Sequence, residues 1–135
     1  MRALFAAAVS GFVGVALGAF GAHGLKGWLD TLPDGAQRLA WWHTGVEYQM
    51  THALLLVGVG VWGVRGDTQP PSLRWAVGLL MGGTVLFSGS LYAMTLTGMR
   101  ALGAVTPFGG LCFLAAWACV GVAAWRQTTI SLPRG

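Results

Sequence analysis

Charged side chains are scarce in this sequence, because aspartate, glutamate, lysine and arginine together make up only 9% of its residues. A soluble domain has about 25% charged residues, so this scarcity excludes an ordinary water-soluble globule. The formal net charge of +4 is spread over several connections without a basic run, which argues against a nucleic-acid partner. The lipid bilayer is therefore the expected partner of the chain.

Cysteine is also scarce, and only Cys112 and Cys119 are present. On a helix they lie about two turns apart on one face, which is too far for a disulfide between them. The chain lacks a Cys-x-x-Cys pair, which is the usual pattern of a thioredoxin-like or zinc-ribbon site. The sequence predicts no metal site and no cofactor.

Long apolar stretches are what the chain does contain, and 55% of its residues are hydrophobic. Residues 3–22 carry no charge and would cross about 30 Å of hydrocarbon as a helix. This stretch is longer than the roughly 7–15 apolar residues of a secretory signal. We expect an all-α integral membrane protein, a four-transmembrane-helix bundle in a single domain over residues 1–135. Its helices are predicted at about residues 3–22, 37–64, 75–97 and 107–125.

Four spans would place both chain ends on the same side of the membrane. That side would carry Arg2, Arg65, Arg74, Arg126 and Arg134, and the opposite side would carry Lys26, Arg38 and Arg100. Because basic residues are enriched in cytoplasmic connections, both termini are predicted to be cytoplasmic.

Residues 43–52 open an otherwise apolar helix with one carboxylate and two imidazoles. At 100° per residue, His43, Glu47, Thr51 and His52 fan across one half of this helix. An ionisable group inside a membrane span is costly, so it is expected to face the protein interior or a wet cavity. This stretch is the candidate functional site.

Further polar residues close the first and third helices and open the fourth. In an antiparallel arrangement all of these positions lie on one membrane side, opposite the termini. The candidate ligand-binding residues at this non-cytoplasmic end are His23, His43, Glu47, Tyr48, Gln49, His52, Ser88, Ser90 and Tyr92.

Each of these residues also has a plainer structural interpretation. Glu47 can be a buried structural carboxylate that His43, His52, Ser90 or Tyr92 holds, and the serines can bond to backbone carbonyls or across helices. His43 and His52 point to opposite sides of a helix, so they bind one metal only with help from other helices. Three metal ligands from His23, His43 and Glu47, or a haem between the two histidines, are conceivable, but no spacing favours either.

Glycines recur at intervals of three and four along the first predicted helix, at Gly11, Gly14, Gly18 and Gly21. Small residues at this spacing let helix backbones approach closely, so the stripe predicts a packing face. It lacks the strand–turn–helix context of a dinucleotide-binding loop.

Four motifs carry a resemblance to a known family. They are Gly-Ala-Phe-Gly-Ala-His-Gly-Leu at 18–25, Thr-Gly-Val-Glu-Tyr-Gln-Met-Thr-His-Ala at 44–53, Phe-Ser-Gly-Ser-Leu-Tyr at 87–92 and Thr-Pro-Phe-Gly-Gly at 106–110. In this order they resemble the YgdD-like family of small bacterial membrane proteins, domain of unknown function 423. The resemblance implies a multi-pass protein of the bacterial inner membrane. It supplies no catalytic residues and no established activity.

Three classes of function are therefore open. The first is a binding or transport module, whose polar end accepts a small solute, a lipid head group or a proton. Alternatively, the glycine-rich faces pack against a second copy or another membrane protein. The third class is a metal- or cofactor-dependent membrane enzyme, and a role without catalysis is favoured over it.

The substitution Glu47→Gln separates the first two classes. A binding role predicts a folded variant that has lost its pH-dependent step, since only the charge has been removed. A structural role predicts loss of stability or assembly, measured by thermal unfolding and by gel filtration in detergent. Metal and haem analysis of the purified protein tests the third class.

Overall fold

The structure, a computed structural model, describes residues 2–65 and 70–130, and the regular elements within them are all helical. There are four long helices in this part of the chain: α1 is Arg2–Leu29, α2 is Gly35–Arg65, α3 is Pro71–Thr97 and α4 is Thr106–Ile130. A short 3₁₀ turn, Arg100–Ala104, precedes α4. The expectation of an all-α protein is confirmed. Arg134 and residues 66–69 lie outside the described residues, as does the side chain of Arg65.

Helix α1 continues beyond the expected end at residue 22. It widens into a π-helical turn at Gly21–Leu25 and then resumes α-helical geometry as far as Leu29. Leu25 and Leu29 are buried against Trp42 of α2. This packing outweighs the poor helix propensity of the glycines in this stretch, which the local sequence pattern alone would treat as a helix end.

Helix α3 has ends that its sequence explains. Pro71 lies in its first turn, where a missing backbone N–H leaves no bond unmade. Gly98 ends it with a φ of 73°, and the Gly98 N–H donates to the Met94 carbonyl at 2.8 Å. That left-handed conformation suits glycine because a Cβ would be strained there.

Helices α1 and α2 are antiparallel neighbours. Leu4, near the start of α1, packs against Gly60, near the end of α2. At the other end the Trp42 indole N–H donates to the Leu17 carbonyl at 2.9 Å.

The predicted glycine stripe lies partly along this contact. A methyl group on any of three glycines would come within 3.4 Å of an α2 side chain, namely on Gly14, Gly18 and Gly21. Gly11 has open space beside it instead.

Helix α3 packs against both α2 and α4, again antiparallel to each. Gly45 of α2 makes room for Tyr92, and Gly83 of α3 makes room for Phe113 of α4. Helix α1 packs mainly on α2, and α4 packs mainly on α3. This order leaves space between α2 and α4 along one side of the molecule.

The outer surface is apolar, as expected for a protein in lipid. Phe5, Phe12, Trp75 and Trp125 are each at least 70% exposed. By length and composition, three helices of the described chain are able to cross a membrane: Arg2–Leu29, Pro71–Thr97 and Arg100–Gln127. Helix α2 has 31 residues but carries the polar residues in its first half. The protein is a helical membrane protein.

The closest backbone approach between α3 and α4 generates a stability prediction. A methyl group on Gly109 would collide with the Phe87 backbone nitrogen, whereas on Gly110 the nearest atom would be 3.9 Å away. We expect Gly109→Ala to lower the free energy of unfolding by roughly 1–3 kcal/mol, because overpacking forces the helices apart. The measurement is thermal unfolding in detergent, followed by circular dichroism.

Gly110→Ala is the matched control, since it adds the same methyl group one residue away. It should leave the unfolding temperature unchanged or raise it slightly, because alanine favours the helix by about 0.5–1 kcal/mol over glycine. Equal destabilisation by both variants would contradict the close approach at Gly109.

Candidate functional site

A groove of about 740 Å³ lies between α2 and α4. Its α2 wall consists of Glu47, Tyr48, Thr51 and His52, and Phe87 of α3 lies between the two walls. The α4 wall consists of six residues that are mostly apolar, including Leu111, Leu114 and Trp117. The groove therefore has its polar groups on α2 and its hydrocarbon on α4.

Two stacked aromatic pairs hold the groove in shape. Tyr48 stacks on Phe87 with ring centroids 4.2 Å apart, and His52 stacks on Phe113 with centroids 3.6 Å apart. The first pair joins the α2 wall to Phe87 of α3, and the second joins the α2 wall to the α4 wall. The histidine contributes to packing here as well as to polarity.

The His52 ring has a defined orientation. Its Nδ1 lies 2.7 Å from the Tyr48 carbonyl oxygen, and since a carbonyl only accepts, Nδ1 carries the hydrogen. In the neutral ring, Nε2 is then a hydrogen-bond acceptor without a partner among the described residues. His52 is 6% exposed, and the exposed part lines the groove.

Glu47 is exposed and makes no hydrogen bond or ion pair with any described residue. It borders the groove on one side. On its other side it borders a shallow hollow of about 300 Å³, which His43 also lines together with residues of α1. A lone carboxylate on an otherwise apolar surface is the most unusual electrostatic feature of the molecule.

The interior polar residues form a separate network away from the groove. The Tyr92 hydroxyl donates to Gln49 Oε1 at 2.9 Å, and Gln49 Nε2 donates to the Ser10 carbonyl at 2.8 Å. Gln49 is only 4% exposed. These bonds join α3, α2 and α1, which indicates a structural role for both side chains.

The serines of α3 are also interior. The Ser90 hydroxyl lies 2.8 Å from the Thr106 hydroxyl at the start of α4, so this pair joins the two helices. Ser88 is fully buried, and its hydroxyl has no partner among the described residues.

The nine residues proposed from the sequence are thus distributed over several places. Only Glu47, Tyr48 and His52 line the groove, and His43 lies in the hollow next to it. His23 is exposed on the π-helical turn of α1 and lines neither depression. Within the described residues, no three His, Cys, Asp or Glu side chains are grouped so that they could hold a metal ion.

Several groove residues were not among the sequence candidates. Thr51 lies one turn after Glu47 on the polar face of residues 43–52, but it is not one of the nine ligand-binding candidates. Helical spacing alone would have included it. The α4 wall is different, because Leu111, Leu114 and Trp117 look like any lipid-facing positions in the sequence. Only the packing of α4 against α3 brings them opposite Glu47.

Comparisons with known proteins identify relatives over most of the chain. The family model described as "Protein of unknown function (DUF423)" matches residues 17–110. The UPF0382 inner membrane protein YgdD of Escherichia coli (strain K12) is 46% identical over 123 residues, which cover 91% of this chain and 88% of the relative. The UPF0382 membrane protein YwdK of Bacillus subtilis (strain 168) is 44% identical over 119 residues, which cover 87% and 90%. No solved structure matches the chain.

The interior network generates a second stability prediction. Tyr92→Phe removes the hydroxyl that donates to Gln49 and leaves a buried amide oxygen unsatisfied. We expect the free energy of unfolding to fall by about 1–3 kcal/mol. Thermal unfolding in detergent measures the change.

Tyr48→Phe makes the same chemical change in a tyrosine whose hydroxyl has no partner among the described residues. It keeps the stacking on Phe87, so its unfolding temperature should stay near that of the wild type. If Tyr92→Phe is as stable as Tyr48→Phe, the bond to Gln49 does not contribute to stability.

Proposed function

Because the chain belongs to the DUF423 family and is a multi-pass inner-membrane protein, we propose that it crosses the membrane four times and binds an amphiphile in the groove between α2 and α4. The observation that carries the proposal is the carboxylate of Glu47, which has no partner among the described residues, at the edge of a groove whose α4 wall is mostly apolar. The head group of the amphiphile lies at Glu47, and its hydrocarbon lies along α4.

The dimensions of α2 support a fourth span. At 1.5 Å per residue its 31 residues are about 46 Å long, which is more than the hydrocarbon thickness of about 30 Å. Trp41 and Trp62 are about 32 Å apart along the helix, a separation that matches two interfacial tryptophan belts.

Contacts at the helix ends support the placement of both termini on one side. Leu4 packs against Gly60, and the Trp62 indole N–H donates to Gln127 Oε1 at 3.0 Å. The start of α1 and the end of α4 therefore both lie beside the end of α2. Arg2, Arg74 and Arg126 lie at this end, where Arg65 is the last residue of α2. The opposite end has Lys26, Arg38 and Arg100, and the excess of four to three favours the cytoplasmic side for the termini.

The depth of Glu47 supports a head-group site. Glu47 follows Trp41 by six positions, so it lies about 9 Å deeper than the interfacial belt. Its Cα–Cβ bond tilts toward the start of α2, and hence toward the nearer membrane surface. A carboxylate at this depth without a protein partner is costly, and a lipid head group offers it one.

The α4 wall supports the position of the tail. Helix α4 starts at Thr106 near the same surface, and Leu111, Leu114 and Trp117 follow at successively greater depth. Polar groups near the surface and apolar groups below them match the orientation of a bilayer lipid. A small polar solute or a bare proton would leave the apolar wall without a role.

Native mass spectrometry of protein released from a mild detergent tests the proposal. The wild type should retain one amphiphile as a reproducible extra mass. Glu47→Gln should lower the retained fraction about tenfold, because a hydrogen bond to a charged group contributes roughly 1.5–3 kcal/mol.

His43→Gln is the matched control, since His43 is exposed and unpaired within the described chain but does not line the groove. It should retain the amphiphile as the wild type does. A wild type without bound amphiphile, or a dimer that dissociates in Glu47→Gln, would contradict the proposal and favour an assembly role.

A further inference from the structure

We infer that the head group bound at Glu47 is a primary ammonium, so that the amphiphile is a phospholipid of the ethanolamine type. This inference rests on the proposed amphiphile site and specifies its ligand. It follows from the charges that line the groove, from the number of acceptors there and from the arrangement of the aromatic rings.

The charge of the groove favours a cation. Among the described residues that line it, Glu47 is the only acidic one and none is a lysine or an arginine. Arg38, the basic residue nearest to Glu47 in sequence, pairs with Asp34 at 3.0 Å, and Lys26 pairs with Asp30 at 2.7 Å. Arg100, which precedes α4, does not line the groove. A purely anionic head group would meet the carboxylate with no neutralising charge in the groove, whereas an ammonium pairs with it.

The acceptors of the groove match the donors of a primary ammonium. Glu47 offers carboxylate oxygens, Thr51 offers a hydroxyl and His52 offers Nε2, whose role as acceptor follows from the bond between Nδ1 and the Tyr48 carbonyl. A primary ammonium has three N–H donors, as a lysine side chain does. Its three donors can therefore all be met by the α2 wall, which offers these three acceptor groups and the Tyr48 hydroxyl.

The aromatic rings argue against a quaternary ammonium. A trimethylated head group has no N–H donor and is usually recognised by open faces of several aromatic rings. In this groove Tyr48 is stacked on Phe87 and His52 on Phe113, so each of these rings already has one face covered. Trp117, the other aromatic residue of the groove, lies deeper along α4, so the rings around Glu47 do not form an open cage.

The test uses phospholipids with identical acyl chains and four head groups: ethanolamine, N-methylethanolamine, N,N-dimethylethanolamine and choline. Purified full-length protein is mixed with equimolar amounts of these lipids and of a phosphatidylglycerol, and native mass spectrometry reports the retained fraction of each. We expect retention to fall with each added methyl group, and ethanolamine to exceed choline by about tenfold. Phosphatidylglycerol should be retained least.

Two variants and one control assign this selectivity to the groove. Glu47→Gln should reduce the preference for ethanolamine over choline to less than about twofold, because the ion pair is lost. Thr51→Val removes one acceptor at nearly constant volume and should weaken the same preference, which keeps the test usable if Glu47→Gln unfolds. His43→Gln should keep the full preference.

The outcomes distinguish the inference from the function on which it rests. Retention that is equal for all methylated forms, that rises with methylation, or that is greatest for phosphatidylglycerol would overturn the primary-ammonium inference and leave the amphiphile site in place. If the wild type retains none of the lipids, both the site and its specificity are overturned.

Discussion

The amide of Gln49 holds three helices together, and the arrangement of the groove depends on it. A polar group inside a membrane protein has no water to bond to, so its hydrogen bonds must come from the protein. Gln49 accepts from Tyr92 of α3 and donates to the Ser10 carbonyl of α1. These two bonds set the rotation of α2 about its own axis. The face that carries His43, Glu47 and Thr51 is thereby left exposed.

Close packing at glycines reinforces this rotation. Gly45 lies directly beneath the Tyr92 ring, and Gly21 beneath the Trp42 indole, so a methyl group at either position would collide with the ring. Trp42 in turn packs against Tyr92 with ring centroids 4.7 Å apart. Large rings set into glycine gaps allow few alternative rotations of the helices, because packed interiors do not deform continuously. The exposed position of Glu47 is a consequence of how the opposite side of α2 is filled.

The two histidines of α2 illustrate how different the roles of similar residues become. His52 is buried, bonded to its own helix through Nδ1 and stacked on Phe113 of α4. It helps to define the groove and presents one acceptor to it. His43 lies two and a half turns earlier, exposed at the hollow between α1 and α2. A ligand in the groove would therefore be sensitive to one of these imidazoles and indifferent to the other.

The sequence by itself determined the membrane environment, the all-helical fold and the polar stretch at residues 43–52. Scarce charge and long apolar runs leave a helix as the structure that satisfies its own backbone in lipid, so these features follow from composition and length. It also suggested Glu47 as the residue to explain. Only the tertiary structure decided that Gln49 and Tyr92 bond to each other, that Ser88 and Ser90 are interior, and that Leu111, Leu114 and Trp117 line the same groove as Glu47. Neighbouring residues of one helix point in different directions around its axis. Contacts with residues far away in the chain decide which of these directions faces the interior and which faces the groove. The C-terminal end of α1 was decided in the same way, because packing of Leu29 against Trp42 stabilises the helix beyond its glycines.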